Sequence, residues 1–353
     1  MAVHIALDAM GGDRGPEELV SGAVQAVNES DLEVTLLGDE SLINKALRNN
    51  KGVSNRIHIV HTSQLITMDE SPFEAVRRKK DSSIVVAFEL LKDDKVEAVV
   101  SAGNSGATMA SALTMLGRLK KISRPGIASI FPTLKKPNVM MDVGANVDCR
   151  PQHLFQFGVM AAAFSKVLFG IENPSIGLLS IGEEGGKGNA LVKSAHELFK
   201  HSSLNFIGNV EGRETFLGDV DVIVCDGFVG NVCLKLSEGL AEAVLAMLRE
   251  EISKTWAAKV GYLLAKEAFT NFRKRVDYAE YGGAPLLGLN GTGIICHGRS
   301  NATAIKNAVK LAADMVRHKV NDSISALLEE AGPGGSEKIL PKRQGPAVAG
   351  GWV

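Results

Sequence analysis

A chain of 353 residues, 45% hydrophobic and with a net charge of −1, has room for one large α/β domain or two intimate lobes around a substantial core. It offers no broad basic face, so its charge gives no ground for nucleic-acid binding. No uncharged apolar stretch is long enough to span a bilayer, and the opening MAVHIALDAMGG lacks the basic start and apolar run of a secretory signal, so a cytoplasmic location is expected.

Val3–Asp8 is apolar enough for a buried strand, followed by a helix over Pro16–Asn28 with Leu19, Ala23, Ala26 and Val27 on one side. Strands at Glu33–Leu37 and Ile57–His61 flank a helix at Asp39–Asn49. The rhythm continues with a helix at Ser82–Leu91, a strand at Ala98–Ser101, a helix at Thr108–Leu116, strands at Ile127–Phe131 and Val139–Val143 and a long helix at Leu154–Phe169. A strand at Ser175–Ser180, a helix at Ala190–His201 and a strand at Asp221–Cys225 follow. This alternation predicts a three-layer α/β/α fold with a mostly parallel sheet. Ser237–Phe272 breaks it with two helical runs and no strand between, the pattern of a protruding αα-hairpin. A last core helix is expected at Thr303–Leu328; residues 1–332 then form the catalytic domain and 333–353 a disordered tail.

The polar loops at strand ends are where an open α/β sheet places ligands. Asp8–Asp13 reads either as a ligand loop or as a tight turn with Asp13 capping a helix. In Gly103-Asn104-Ser105-Gly106, small residues between a strand and a helix let backbone N–H groups converge on an anion; close helix–sheet packing is the other reading. The loop is neither a Walker A nor a G-x-G-x-x-G motif. Asp142–Asp148 contains Asn146, which can order the loop or bind a polar ligand; its two aspartates are too sparse to imply a metal. Lys187 sits among glycines in Gly182–Asn189, suited to phosphate oxygens or a developing oxyanion, or else part of a charged surface turn. Asp226 ends a strand, and Arg299, beside His297, has the fork geometry of a phosphate ligand. His153 and His196 read as packing or capping groups, and Cys149, Cys225, Cys233 and Cys296, with no C-x-x-C pair, as reduced internal thiols. Residues alone thus lead to an α/β enzyme that handles phosphate.

The segments ALDAMGGD, SAGNSGA, DVGANVDC, IGEEGGKGN, NFIGNVEG, CDGFVGN, YGGAPLLG and HGRS, colinear over roughly residues 3–330, resemble the bacterial phosphate acyltransferases of phospholipid synthesis, the PlsX family. That resemblance implies reversible transfer of a long-chain fatty acyl group from acyl carrier protein to inorganic phosphate, without metal or cofactor. The acyl phosphate would then pass to a membrane glycerol-3-phosphate acyltransferase. It also implies a homodimer with a fold like that of isocitrate and isopropylmalate dehydrogenases. Lys187 and Asp226 fall on the family's suspected catalytic positions, while Gly103, Asn104, Ser105, Gly106, Asn146, Asn189, His297 and Arg299 are the expected substrate- and phosphate-binding set. Gly185-Gly186 stands where relatives often carry bulkier or acidic residues. A phosphotransacetylase-like enzyme acting on acyl-coenzyme A is the alternative.

Lys254–Arg275 carries six basic residues against the single acid Glu267, interleaved with Trp256, Val260, Tyr262, Leu263, Leu264, Phe269 and Phe272. Such a segment can lie on an anionic membrane surface, or pack a hairpin or dimer seam with its lysines solvated.

Overall fold

The computed structural model describes residues 2–276 and 281–332, with side chains through 272 and again from 281. The tail 333–353, expected to be disordered, and the charges of Arg273, Lys274 and Arg275 lie outside the described residues and side chains.

The first block alternates strand and helix: β1 (Val3–Asp8), α1 (Pro16–Glu29), β2 (Leu32–Gly38), α2 (Glu40–Arg48), β3 (Ile57–His61), α3 (Pro72–Arg78), α4 (Ser83–Lys92), β4 (Ala98–Ser101) and α5 (Ser105–Met115). The second runs β5 (Gly126–Phe131), β6 (Asn138–Met141), α6 (Pro151–Phe169), β7 (Ile176–Ser180), α7 (Ala190–Lys200), β8 (Phe206–Glu211), a short 3₁₀ turn and β9 (Val222–Val224). The chain closes with α8 (Gly227–Lys254), α9 (Trp256–Leu264), α10 (Lys266–Val276), β10 (Ala284–Leu287), β11 (Thr292–Ile295), α11 (Ala302–Arg317) and α12 (Val320–Glu330). The eleven strands among the described residues form one sheet in the order β3-β2-β1-β4-β11-β10-β5-β6-β9-β7-β8.

Two parallel blocks make up this sheet, joined by the antiparallel pairs β11–β10, β10–β5 and β5–β6. The join has a directional consequence. Ser101 at the end of β4 lies beside Ile295, which faces Ala284 at the start of β10. Leu287 at the end of β10 faces Gly126 at the start of β5, and Met141 at the end of β6 faces Ala128. The carboxyl ends of β6, β9 and β7 therefore point to the opposite sheet edge from those of β1, β4 and β11. The sequence reading missed β10 and β11 because the glycines around them read as loop, and with them it missed the reversal.

Four other expectations shift. α5 starts three residues earlier than its periodicity suggests, because Asn104 caps it by accepting from the Ala107 N–H. The last helix is two, broken at Lys319, whose φ of 52° is left-handed and cannot continue an α-helix. The hairpin is a 28-residue α8 followed by α9 and α10 rather than two runs. Finally, α3 and β8 were unread, α3 being only seven residues long.

The core lies on both faces of the sheet. On one, α1 and α11 cover β1, β2 and β4, and α6 covers β6 and β9 through Phe155, Phe157 and Phe164, all fully buried. On the other, α4 and α5 pack Phe88, Val85 and Ala110 against Val99 and Leu286. Burying side chains of this size contributes roughly 1.5–3 kcal/mol each. α1 and α11 are tightly packed at Gly22, where a Cβ would stand 2.6 Å from Ile305 Cβ and 2.7 Å from the Ala302 carbonyl. Gly22→Ala should therefore cost about 1–3 kcal/mol through overpacking, read as a lower midpoint in chemical denaturation. An unchanged midpoint would show that the two helices separate freely.

Candidate active site

At the first edge, the buried carboxylate of Asp8 closes β1. Its Oδ2 accepts from the Ser101 hydroxyl at 2.7 Å, and Ser101 Oγ in turn accepts from the Gly103 N–H at 3.0 Å. Burial pushes the Asp8 carboxyl above its usual range, opposed by hydrogen bonds from its neighbours. The Gly103 N–H is thus already committed. So is the side chain of Asn104: Oδ1 accepts from Ala107 N at 3.0 Å, and Nδ2 donates to the carbonyls of Thr67, Met68 and Glu70 at 3.1–3.3 Å. What remains at this helix end is the pair of N–H groups of Ser105 and Gly106, uncapped among the described residues and carrying the positive end of the helix dipole. The His297–Ser300 turn stands beside them, because Cys296 N donates to the Ser101 carbonyl at 2.8 Å and Asp13 N to the Gly298 carbonyl at 2.7 Å. Arg299 is exposed and pairs with Glu242 of α8 at 3.6 Å.

At the second edge, Asp142 is fully buried just past β6. Its Oδ1 accepts from the N–H groups of Ile127, Gly144 and Ala145 at 3.0–3.2 Å; its Oδ2 accepts from Asn146 N at 2.7 Å and Asn146 Nδ2 at 2.9 Å. Burial raises this carboxyl and the donors lower it. Every one of these groups is a donor, the surrounding of an ionised carboxylate. Asn146 also donates to the Pro125 carbonyl at 2.8 Å, and its own carbonyl accepts from Gly227 N at 2.8 Å. Asp226 caps α8, its Oδ1 accepting from Phe228 N and Val229 N at 3.0 Å. Lys187 is exposed, with no ion-pair partner among the described residues, and Asn189 caps α7 through Val192 N. β7 and β9 are neighbours in the sheet, so the Lys187 loop and Asp226 share this edge.

The ten candidate residues therefore fall into two groups. Gly103, Asn104, Ser105, Gly106, His297 and Arg299 stand at the first edge; Asn146, Lys187, Asn189 and Asp226 at the second. A cleft of about 560 Å³ joins the two along α5. Ser105 and Gly106 lie at one end, Arg118, Arg124 and Asn146 at the other, with Phe73, Met109, Leu113 and Ile127 in the apolar wall between. Eleven residues of α5 make that wall roughly 16 Å long. The wall residues and both arginines were missed by sequence reasoning. The Met109–Leu113 spacing of four was the available signal, but a helix of small apolar residues does not announce which face lies open.

No thiol here is poised as a nucleophile. Burial pushes Cys149 up to about 11 and Cys296 up to about 12, and lifts Cys225 well above its ordinary value. His153 serves as a cap, accepting from the Arg150 N–H, and His196 packs edge-on against Phe206.

Comparison with known proteins bears on what this geometry is for. A family described as fatty acid synthesis protein matches residues 3–323. The phosphate acyltransferase of Geotalea uraniireducens (strain Rf4) is 54% identical over 333 residues, covering 94% of this chain and 96% of the relative. That of Nitratidesulfovibrio vulgaris (strain DP4) is 54% identical over 321 residues, covering 91% and 93%. The chain belongs to the phosphate acyltransferase family. Among solved structures, a phosphotransacetylase from Streptococcus pyogenes has a TM-score of 0.58 at 18% identity, covering 90% of this chain and 94% of the other. A branched-chain phosphotransacylase from Enterococcus faecalis V583 has a TM-score of 0.56 at 15% identity, covering 90% and 99%. These likenesses establish the fold of this family member as a three-layer α/β/α arrangement on a mixed sheet.

Asn104 offers a test of the site's construction. In Asn104→Asp the cap on α5 survives, but a carboxylate oxygen replaces the amide that holds three carbonyls. Hydrogen exchange across residues 63–70 should rise while α5 stays protected; Asn104→Ala, losing the cap too, should expose both and cost roughly 0.5–2 kcal/mol. Unchanged exchange at 63–70 in Asn104→Asp would show that the amide does not hold that loop.

Proposed function

We propose that this enzyme transfers a long-chain fatty acyl group from acyl carrier protein to inorganic phosphate, with the acyl thioester laid along the α5 cleft. The observation that carries the reading is the cleft itself: an apolar wall bounded at one end by unspent helix N–H groups and at the other by two arginines. Chemistry is assigned to the second edge. There a phosphate oxygen attacks the thioester carbonyl, the tetrahedral intermediate collapses with loss of the C–S bond, and the thiolate takes a proton. Lys187 binds the phosphate or the oxyanion, with Asn146 and Asn189 beside it, and Asp226 manages the proton or orients Lys187. The Ser105 and Gly106 N–H groups, in the loop begun by Gly103 and Asn104, join His297 and Arg299 in holding the substrate at the first edge. The raised thiols favour this direct route over an acyl-enzyme. The finer kinship with isocitrate and isopropylmalate dehydrogenases, and a single catalytic unit over residues 1–332, belong to the same proposal.

Lys187→Ala should lower kcat by ~100-fold or more with the fold intact, since loss of one transition-state contact costs roughly 3–4 kcal/mol. Near-normal turnover would refute the assignment, as would a trapped acyl-protein. The phosphotransacetylase likeness favours one second reading, acyl-coenzyme A as donor. A higher kcat/KM with acyl-coenzyme A than with acyl carrier protein would establish it.

The hairpin supports the proposed partners. Leu236, Leu240, Val244 and Met247 form one exposed apolar stripe on α8, and no residue of α9 is buried, Trp256 and Leu264 being 79% and 86% exposed. A second copy covering the α8 stripe would make the homodimer, and the basic α9–α10 tip would rest on anionic lipid near the downstream acyltransferase. No helix among the described residues is long and apolar enough to cross a membrane. Wild type should sediment with anionic vesicles at low salt, less with neutral ones, and Leu263→Glu should weaken binding without loss of activity in solution. Failure of wild type to bind anionic vesicles would remove the membrane from this scheme.

A further inference from the structure

Away from the cleft, three neighbouring strands bring together side chains that the acyl-transfer scheme does not use. His4 on β1 pairs in register with Glu33 on β2, and Thr35, two residues along β2, pairs with His58 on β3. Alternation along a strand puts all four side chains on one sheet face. One ring nitrogen from each histidine and one Glu33 oxygen lie within 4.8 Å of one another, the only such trio of His, Cys, Asp or Glu among the described residues. Their present contacts are His58 Nε2 with Glu33 Oε2 at 3.2 Å and His4 Nε2 with Thr35 Oγ1 at 2.7 Å; the two imidazoles lie 5.5 Å apart at 59°. The Glu97 carboxylate, which accepts from the His4 backbone N–H at 2.7 Å, adds a second acid beside the trio.

We propose that His4, Glu33 and His58 form a binding site for a divalent transition-metal ion of the zinc type, clamping the edge strand β3 to β1 and β2. The donor set is two imidazoles and a carboxylate, the borderline-soft nitrogen and hard oxygen ligands that zinc takes in four-coordinate sites. Bonds of about 2.0–2.2 Å to such an ion bring ligand atoms to roughly 3.3 Å of each other. The trio must close by an ångström or so. It can, because Glu33 and His58 keep 38% and 46% of their side-chain surface in water while their backbones are fixed by the ladder. A fourth position is left to water or the Thr35 hydroxyl. The site lies on the first parallel block, where β3 is the sheet's edge and neither of its histidines is buried, so a metal there would cross-link a segment with little core of its own.

The test uses the full chain, stripped of metal by chelation and dialysed. Titration with Zn²⁺ alone, followed calorimetrically and by elemental analysis, should give one ion per chain lost on substitution of the trio. His58→Ala, His4→Ala and Glu33→Gln should each weaken binding at least about tenfold, the loss that even outer-shell partners of a metal produce. Co²⁺ should give the visible absorption of a four-coordinate site in wild type and not in His58→Ala. His58 is exposed on an edge strand, so that variant keeps the proposal testable should His4→Ala fail to fold. Added Zn²⁺ should also raise the wild-type unfolding midpoint and leave that of His58→Ala unmoved. No stoichiometric Zn²⁺ in wild type overturns the proposal, and so does binding that is equal in all three variants, which would assign the metal to other residues.

Discussion

Asp142 is the residue on which the second half of the molecule closes. A single buried carboxylate gathers five N–H donors from the start of β5, the turn after β6 and the amide of Asn146. The two donated by buried Asn146 could not turn to water instead, and leaving either without that acceptor would cost on the order of 1–3 kcal/mol. Asn146, fixed by Asp142, then holds Gly227, and Gly227 opens α8. The approach is so close that a Cβ on Gly230 would stand 1.9 Å from the Asp142 carbonyl, so α8 can leave the sheet here only through glycine. One charge therefore sets the register of β5 against β6, the shape of the 144–146 turn and the departure point of the longest helix.

Most of the elements were legible in the sequence, because strand and helix periods differ and the first block obeys them cleanly. β1, β3 and β4 lie where their apolar runs placed them, and α1, α2, α6 and α7 within a few residues of prediction. Direction was not legible. Nothing in Ala284–Leu287 or Thr292–Ile295 as strings of residues says that β10 runs against β11 and β5, since a four-residue buried strand set among glycines looks like a loop. That relation is set by tertiary pairing, and it decides which loops can share a ligand.

The candidate site was legible as a list and not as a place. Loops that looked equivalent because each followed a strand now stand on two edges. Several of their polar groups are also occupied: the Gly103 N–H by Ser101, Asn104 by the 67–70 carbonyls, Asp226 by the first turn of α8. A residue type suited to phosphate serves equally to satisfy a helix end, and sequence cannot distinguish the two uses. Only after the structural bonds are assigned do the groups without a partner among the described residues stand out, Ser105 N, Gly106 N and the side chain of Lys187 among them.

The two edges are nonetheless bridged by two helices. α5 carries the cleft wall from Ser105 toward Asn146. α8 starts at Asp226, beside Asn146, and sixteen residues on its Glu242 meets Arg299, a span of roughly 24 Å at the helical rise. Glu238, one turn earlier, is pushed up by burial and by Glu242, while His297 and Arg299 draw it down, so α8 feels the charge of the His297–Arg299 turn directly. A helix is stiff along its axis. An anion that drew Arg299 from Glu242 at the first edge would therefore act on the same rod whose first turn is capped by Asp226 at the second. The reversal of the sheet separates the candidate residues into two groups, and α5 and α8 are the helices that run from one group to the other.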